Sequence, residues 1–552
     1  MLFPADASDL LQRIPLSAGT ILHVGCGDGS LLAAYRPMNP KARFLGIEHN
    51  SETATRAALH LDEVIVADAE ADTLAFDLPD GIDCIIYDGI LEHLRDPRGL
   101  IDQHAALLSP DGMMLICVAN ARYWRLAERL LRGTPERNAA RGFTLESMRE
   151  NCVEAGLIVC DVTTRTPDPE AAASFAAALA PGLLGIEVDP EIYADAAAAS
   201  HLIWRVSKEP RTRIRVSGSM LNPVGGVSHV RVVYPFLAIG TDPMVTATIT
   251  HQVSIGQAGD GMARIFVLHR PVLLGEHGRS VLQRLTDAGY LIVTEFDDLP
   301  DHFDMMRMGG ALAFYGAHAL QTSTTTMADA LRQYNAEIAV FPNAVGTLLP
   351  TSNFSDPRVT TLFFGALNRE RDWAPFMPAL NAVAATAGDR LRFQVVHDQS
   401  FFAALETPHK RFTPTCDYDT YRRLLAMSEI SFMPLADTAF SRAKSDLKFI
   451  EAGSCGTMAL ASSVVYGNSI ADGQTGLLFR DPVDFHAKLL RVVAMPELAR
   501  SLGEAARRYV AAERMLAYQV APRIAWYRSL WARRDELDAA RRERMRRYQN
   551  VA

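Results

Sequence analysis

Short runs of β-branched and aliphatic residues recur along the chain, separated by stretches whose apolar positions follow a helical spacing. In the first part these runs are Thr20 to Val24, Arg43 to Ile47, Glu63 to Ala67, Ile82 to Tyr87, Met113 to Val118 and Ser200 to Val206. The middle part has Ile214 to Gly218, Ala263 to Leu268, Tyr290 to Thr294 and Ala319 to Ser323, and the last part Val359 to Phe364, Leu391 to Val396, Glu429 to Met433 and Thr457 to Ala461. Strand and helix in alternation predict α/β units, each a parallel sheet with crossover helices. The alternation breaks at Ser207-Lys-Glu-Pro-Arg-Thr-Arg213, which is charged and carries a proline, and again at Val340-Phe-Pro-Asn-Ala-Val345. Three domains are expected: 1–207, 214–343 and 344–552.

Length agrees with that division, since 552 residues at roughly 100 to 200 per domain make about three. A net charge of −9 leaves no general footprint for nucleic acid, which is excluded as a partner. Seven cysteines, an odd number without metal-ligand spacing, fit a reducing compartment and no metal site. The opening MLFPADASDL lacks the basic start and apolar run of a secretion signal, so the expected location is cytoplasmic. The longest apolar run, Ala171 to Ile186, contains Pro181 and Gly182 and falls short of the roughly 20 residues of a spanning helix. It reads as an alanine-rich helix followed by a turn.

In the first part, Thr20 to Val24 feeds into Gly25-Cys-Gly-Asp-Gly-Ser30, a glycine turn between strand and helix that lets a ligand approach the backbone. The third glycine, Gly29, comes one residue early for a dinucleotide fingerprint, which argues against NAD. Glu48 ends the second strand, where an acid can accept from both hydroxyls of a ribose. Taken in order, VGCGDGSLL, GIEHN, VADAE, GILEHLRDP, LLSPDG and GFTLESMRENCVEAGL resemble a class I S-adenosylmethionine-dependent methyltransferase. The resemblance implies that Gly25, Gly27 and Gly29 surround the methionine part of the cofactor, that Glu48 holds its ribose, and that Asp68 and Ala69 meet the adenine. His93 is the general-base candidate, with a structural histidine at a helix start as the equal alternative. Tyr123, Trp124, Arg122 and Arg125 follow the fifth strand and either cover an acceptor or cap the core.

The second part repeats the strand-to-glycine-to-helix junction at Asn222-Pro-Val-Gly-Gly-Val-Ser-His229, where Gly225 and Gly226 can present N–H groups to a phosphate or simply make a turn. Glu295-Phe-Asp-Asp298 places acids at a strand end, suited to sugar hydroxyls or a metal, though such acids are more often helix caps or solvated loop. In the third part, Gly365-Ala-Leu-Asn-Arg369 can grip a diphosphate through Arg369. Lys444-Ser-Asp-Leu-Lys-Phe-Ile-Glu451, if helical from about Ser445, sets Lys444, Lys448 and Glu451 on one face. Lysine in a first turn is disfavoured by the helix dipole unless an anion docks there.

FPNAV, FFGALNRERD, FMPLADTAFSRAKSDLKFIEAGSCG and DGQTGLLF, in this order, resemble the donor half of retaining GT-B glycosyltransferases related to family 4. That resemblance implies a nucleotide-sugar donor, with Glu451 on the ribose and Lys444 and Lys448 on the diphosphate; Lys448 and Glu451 are the catalytic candidates of this half. The first glutamate of the family's pair falls on Ala443, a departure that leaves the sugar-hydroxyl contact without its usual residue. Beyond a terminal helix around Tyr518 to Trp531 lies an arginine-rich tail, Ala532 to Tyr548, which suits either contact with an anionic inner membrane face or, as the preferred expectation, a solvated helix.

The fold expected is thus a Rossmann-like methyltransferase domain followed by a GT-B pair of Rossmann-like domains. The activity implied is bifunctional, methyl transfer and retaining sugar transfer to a glycan, lipid-linked or protein acceptor, in bacterial surface polysaccharide or glycoconjugate assembly. The alternative is a methyltransferase whose second half binds a glycan or nucleotide without turnover.

Overall fold

The computed structural model describes residues 2–3, 8–70, 76–134, 142–220, 226–256, 262–300, 311–351, 354–356 and 358–551. Nineteen strands among them form three sheets. The first holds β1 (Thr20–Val24), β2 (Arg43–Glu48), β3 (Glu63–Val66), β4 (Ile82–Asp88), β5 (Leu108–Ala119), β6 (Ile158–Arg165) and β7 (His201–Ser207), in the order β3-β2-β1-β4-β5-β7-β6. Its first five strands pair in parallel, whereas β7 runs antiparallel to both β5 and β6. The hydrophobic pattern does not announce β6. It lies at the sheet edge with only Cys160 fully buried, so it has no continuous apolar run.

The second sheet has the order β13-β12-β11-β10-β8-β9, from β8 (Ile214–Ser219), β9 (Val245–Thr250), β10 (Ala263–His269), β11 (Leu291–Glu295), β12 (Ala319–Thr322) and β13 (Ile338–Val340). The third has the order β16-β15-β14-β17-β18-β19, from β14 (Thr360–Gly365), β15 (Leu391–Val396), β16 (Lys410–Thr413), β17 (Ile430–Met433), β18 (Met458–Ser462) and β19 (Leu477–Phe479). Both are parallel throughout. Their interiors are aliphatic and aromatic, Ile265, Val293 and Leu320 in one and Leu362, Phe393 and Leu460 in the other being fully buried. The strand order reverses between β1 and β4, between β8 and β10, and between β14 and β17. Crossover helices diverge at these points and leave a crevice at the carboxyl ends of the strands, where ligands of open α/β sheets bind.

The chain returns to the second sheet after the third is complete. On the helix Ala517–Ala532, the Tyr527 hydroxyl donates to Gln321 Oε1 at 2.9 Å. Arg533 pairs with Glu337 at 2.9 Å, and the helix Arg534–Val551 lays Leu537 and Arg541 against the second unit, 4% and 8% exposed. Arg541 Nε donates to the Gly316 carbonyl at 2.7 Å and Asp538 meets His318 at 2.9 Å. The expectation of a solvated tail is thereby corrected. One face of the helix is docked, because its few apolar residues find partners contributed by a distant part of the chain. The alanine-rich stretch is the helix Pro169–Gly185, with Pro181 inside it. Among the described residues no helix is long and apolar enough to cross a membrane.

The first unit rests on the other two. Leu16 N and Arg205 Nη1 donate to the Thr241 side chain and carbonyl at 2.8 and 3.1 Å, and Leu348 N donates to the Pro37 carbonyl at 2.9 Å.

Candidate active sites

The turn after β1 is left-handed at each of its glycines, with φ of 69° at Gly25, 57° at Gly27 and 79° at Gly29. Side chains other than glycine's are strained there. Gly27 N donates to Glu48 Oε2 and Asn50 N to Glu48 Oε1, both at 3.0 Å, so the carboxylate at the end of β2 is held facing the turn. A Cβ at Gly27, or at Gly89 just beyond β4, would meet no atom within 4 Å. The two glycines therefore border open space at the point where the strand order reverses. Glu70 Oε1 accepts from Arg95 N and Asp96 N at 3.0 and 2.7 Å, drawing the loop after β3, with exposed Asp68 and buried Ala69, onto the loop after β4. His93 is exposed on the single helical turn Leu91–His93 at the same edge.

Two buried groups of this region gave no signal in the sequence. His23, on β1, is 5% exposed, and neither ring nitrogen has a hydrogen-bond partner among the described residues. Burial pushes it down to about 4, against the pull of Asp88 and Glu48, and keeps it neutral. Glu92, next to His93, accepts from Ala119 N through one oxygen and leaves the other unpartnered. Trp124 sits among Ala172, Ala197 and the ring of Phe175, so it caps a small apolar cluster under three helices.

The second site is a cleft of about 540 Å³ between the carboxyl ends of the second and third sheets. From the second unit it takes Gly226, Arg270 and Asp298, and from the third Arg369, Lys444, Lys448 and Glu451. Each follows from sheet topology. Gly226 follows β8, Arg270 follows β10 and Asp298 follows β11, the loop after β14 carries Arg369, and the lysines lie beyond β17. Gly225 lies outside the described residues.

The helix carrying Lys448 and Glu451 runs Leu447–Ser454, two residues later than the cap signals suggest. Lys444 precedes it, and the expectation that all three charges share a helical face is corrected accordingly. The reason is that the cap residues are engaged elsewhere. Ser445 Oγ accepts from Asn343 Nδ2 at 2.6 Å, and the Asp446 carboxylate takes both Arg514 nitrogens at 2.6 and 2.8 Å. These bonds tie the first turn of the helix to the segment joining the two sheets.

Lys448 Nζ donates to the Gly365 carbonyl and, at 3.3 Å, to the Tyr421 hydroxyl. Burial holds it below the usual lysine range while Glu451 pulls it back up. Tyr418 donates its hydroxyl to Glu451 Oε1, and burial raises that carboxyl against the pull of Lys448. Lys444 Nζ stands 3.9 Å above the Phe440 ring and 3.8 Å from Asp298 Oδ1 across the cleft. Arg369 pairs with Asp372 at 3.2 Å and Arg270 with Asp297 at 2.7 Å. The cleft thus brings cations from both units over one neutral-to-anionic floor of tyrosine and glutamate.

Ala443, where the family pattern has its first glutamate, is 2% exposed and packs into the apolar cluster of the second unit with Phe314 and Met327. It does not line the cleft, and Asp298 is the carboxylate nearest Lys444. Tyr418, Tyr421 and His397 were not singled out by sequence. The only local cue is the i, i+3 spacing of the two tyrosines behind Asp417, the residue that caps their helix Tyr418–Ala426. His397, at a φ of 76°, lies parallel to Tyr421 with ring centres 6.1 Å apart.

Gly226 lies directly on Tyr418, where a Cβ would come within 2.4 Å of the ring. Gly226→Ala is expected to cost on the order of 1–3 kcal/mol through overpacking and to turn Tyr418 away from Glu451. Thermal unfolding of the intact chain measures it, and an unchanged midpoint would show that the loop does not press on the ring.

Residues 3–162 match the family described as a methyltransferase domain, and residues 377–522 the family described as glycosyl transferase-like. The chain carries one of each. Among curated proteins it is similar to trans-aconitate 2-methyltransferase of Azoarcus sp. (strain BH72), 32% identical over 136 residues that make up 24% of this chain and 53% of the relative. It is also similar to ubiquinone biosynthesis O-methyltransferase of Xylella fastidiosa (strain 9a5c), 34% identical over 122 residues, 21% of this chain and 48% of the relative. The chain thus spans about half the length of the curated relatives it matches. Among solved structures it is similar to HepE of Anabaena, in complex with UDP and glucose, at a TM-score of 0.41 and 13% identity over 58% of this chain and 100% of that one. TarM of S. aureus gives a TM-score of 0.38 at 12% identity, over 48% and 54%. The glycine turn and Glu48 fall inside the methyltransferase match, and Lys444, Lys448 and Glu451 inside the glycosyl transferase-like one. Gly226 and Asp298 lie outside both.

Proposed function

We propose that the chain is a bifunctional transferase, moving a methyl group from S-adenosylmethionine at the first site and a sugar from a nucleotide-sugar donor at the second. The observation that carries the reading is the presence of two strand-end sites with different chemistry, one with its glycine turn and Glu48 inside the methyltransferase match and the other with Lys444, Lys448 and Glu451 inside the glycosyl transferase-like match. At the first site, the open space bordered by Gly27 and Gly89, with Glu48 fixed beside it, fits a ligand lying against backbone, as S-adenosylmethionine requires. When bound, that cofactor supplies an electrophilic methyl group. Gly25, Gly27 and Gly29 would flank its methionine part, Glu48 its ribose, and Asp68 and Ala69 its adenine. His93, exposed at the rim, would take a proton from the acceptor.

At the second site, Lys448, Lys444 and Arg369 would neutralise the diphosphate, while Glu451, oriented by Tyr418, would accept from the ribose hydroxyls. Gly226 would add a backbone N–H group from the second unit. The bond between the sugar's anomeric carbon and the diphosphate oxygen breaks, with its electron pair leaving on the diphosphate. The acceptor oxygen forms the new bond from the same face and passes its proton to the departing diphosphate oxygen on that face. Charge developing on the leaving group is what the cations stabilise. Asp298, which lines the cleft beside Lys444, would face the sugar in place of the carboxylate missing at Ala443. The acceptor would be a glycan, a lipid-linked sugar or a protein, in assembly of a bacterial surface polysaccharide or glycoconjugate at the cytoplasmic side of the membrane.

Mass-spectrometric screening of the purified chain against nucleotide sugars, with S-adenosylmethionine present, tests the reading. Gly27→Val strains a left-handed backbone position and fills the open space beside it. Its product should carry the sugar and be lighter by one methyl group; loss of sugar transfer in this variant would contradict two separable sites. A second reading rests on Ala443, whose place in the apolar cluster removes a carboxylate from the cleft. In that case the second half binds nucleotide sugar without hydrolysing or transferring it, which the same screen distinguishes.

A further inference from the structure

Sharing no residue with either site, a cavity of about 510 Å³ opens between the helix Gly275–Asp287 and the helix Arg534–Val551. Arg279, Arg541, Arg542 and Arg546 surround it, and Leu282, Ala539 and Met545 add apolar lining. Among the described residues no carboxylate lines it. The acids nearby are engaged. Asp538 meets His318 at 2.9 Å, Asp287 accepts from Gln283 at 2.6 Å, and Glu543 is shared by Arg546 and Arg547 at 2.7 and 3.2 Å. Arg279 and Arg542 are exposed and have no ion-pair partner among the described residues.

Arg541 is built in rather than loosely placed. It is 8% exposed, with Nε fixed on the Gly316 carbonyl at 2.7 Å. Arg544, one turn on, is fixed through Nη2 to the Ala317 carbonyl at 2.7 Å, and burial together with Arg541 pushes it down to about 10. Arg546 is paired with Glu543, while Arg279 and Arg542 have no ion-pair partner among the described residues, so positive charge is in excess around the cavity, and an anion bound there relieves the repulsion. Guanidinium groups present paired N–H donors in a plane, which match the oxygens of a phosphate better than an ammonium does.

We propose that this cavity is a binding site for a phosphoester anion, with the phosphate held by Arg279, Arg541, Arg542 and Arg546 and the organic part against Leu282 and Met545. Two sources offer that chemistry, a soluble phosphoester and the headgroup of an anionic phospholipid. The site stands on the packing of two helices and does not depend on the transferase reading.

The test uses the full chain with Arg279→Ala/Arg542→Ala, both exposed positions, with the melting temperature as the check on the fold. One arm titrates inorganic pyrophosphate calorimetrically in a Lys448→Ala background, which weakens the competing cleft. The other floats the protein on vesicles of phosphatidylcholine with and without phosphatidylglycerol. The double variant should weaken binding by about tenfold or more in one arm, since each guanidinium contributes a charge-assisted bond. Loss with pyrophosphate assigns a soluble phosphoester, and loss on phosphatidylglycerol vesicles assigns the lipid headgroup. Arg534→Ala/Arg547→Ala, exposed arginines of the same helix outside the cavity, serves as the control for charge alone. An equal loss in that control, no effect of the double variant in either arm, or no binding in either arm overturns the proposal.

Discussion

Lys448→Ala is expected to slow sugar transfer by about 10² to 10³-fold, the loss typical when one preorganised donor to a developing negative charge is removed. The ammonium is preorganised by two fixed partners, the Gly365 carbonyl and the Tyr421 hydroxyl, on a helix whose first turn is tied down through Ser445 and Asp446. On the proposed reading it would meet the leaving group without reorganising at the moment of reaction. Initial rates with the donor found by screening measure the effect, and the melting temperature of the variant checks the fold. Turnover equal to that of the parent chain would remove Lys448 from the site. Lys444→Ala should act more mildly, because Lys444 is shared with Asp298 at 3.8 Å.

The largest expected effect on stability lies at the seam between β11 and the segment leading to the third sheet. Arg231 and Glu295, 2% and 0% exposed, form a two-pronged pair at 2.9 and 3.0 Å, and Arg231 also donates to the Phe341 carbonyl and Asn343 Oδ1 at 2.6 and 2.9 Å. Arg523, itself 2% exposed, lies 4.0 Å above the Phe341 ring with Nε and one terminal nitrogen unpartnered. Glu295→Ala leaves buried cations without their carboxylate, a change that costs about 3–5 kcal/mol when one member of a buried pair is lost. Urea unfolding of the intact chain should show the loss in the transition that reports the second unit. A shift no larger than that of a surface substitution would mean that water reaches Arg231. Replacing both partners by apolar residues of similar volume should restore much of the stability, since the pair's desolvation cost disappears with it.

The strands were legible because a sheet covered on both faces demands continuous apolar runs, and Ile265 to Leu268 or Met458 to Ala461 can be read directly. Edge strands answer to a weaker demand. β6, with one fully buried residue, and the short β13 and β19 therefore leave little trace. In the cleft, Gly226, Arg369, Lys444, Lys448 and Glu451 were named from motif spacing, and the fold brings all of them to one cavity. The tyrosines beneath them were not. Tyr418 and Tyr421 come from a helix whose sequence reads as ordinary amphipathic surface, and their partners Glu451 and Lys448 lie some thirty residues away. The start of the lysine helix was misplaced for a related reason. Ser445 and Asp446 are good caps by local rules, but Asn343 and Arg514 compete for them, and no local rule sees partners so distant. The docked tail follows the same pattern.

That docking also sets a timetable for synthesis. Tyr527 closes on Gln321 from 206 positions further along the chain, and Arg541 reaches Gly316 from 225 positions further on. At ribosomal rates of roughly 5–20 residues per second, β12 emerges about 10–40 s before the helices that cover it. During that interval the nascent second unit exposes the apolar surface around Phe314 and Leu282 that those helices later shield, so the middle of this protein is the part most in need of chaperone protection while it is being made.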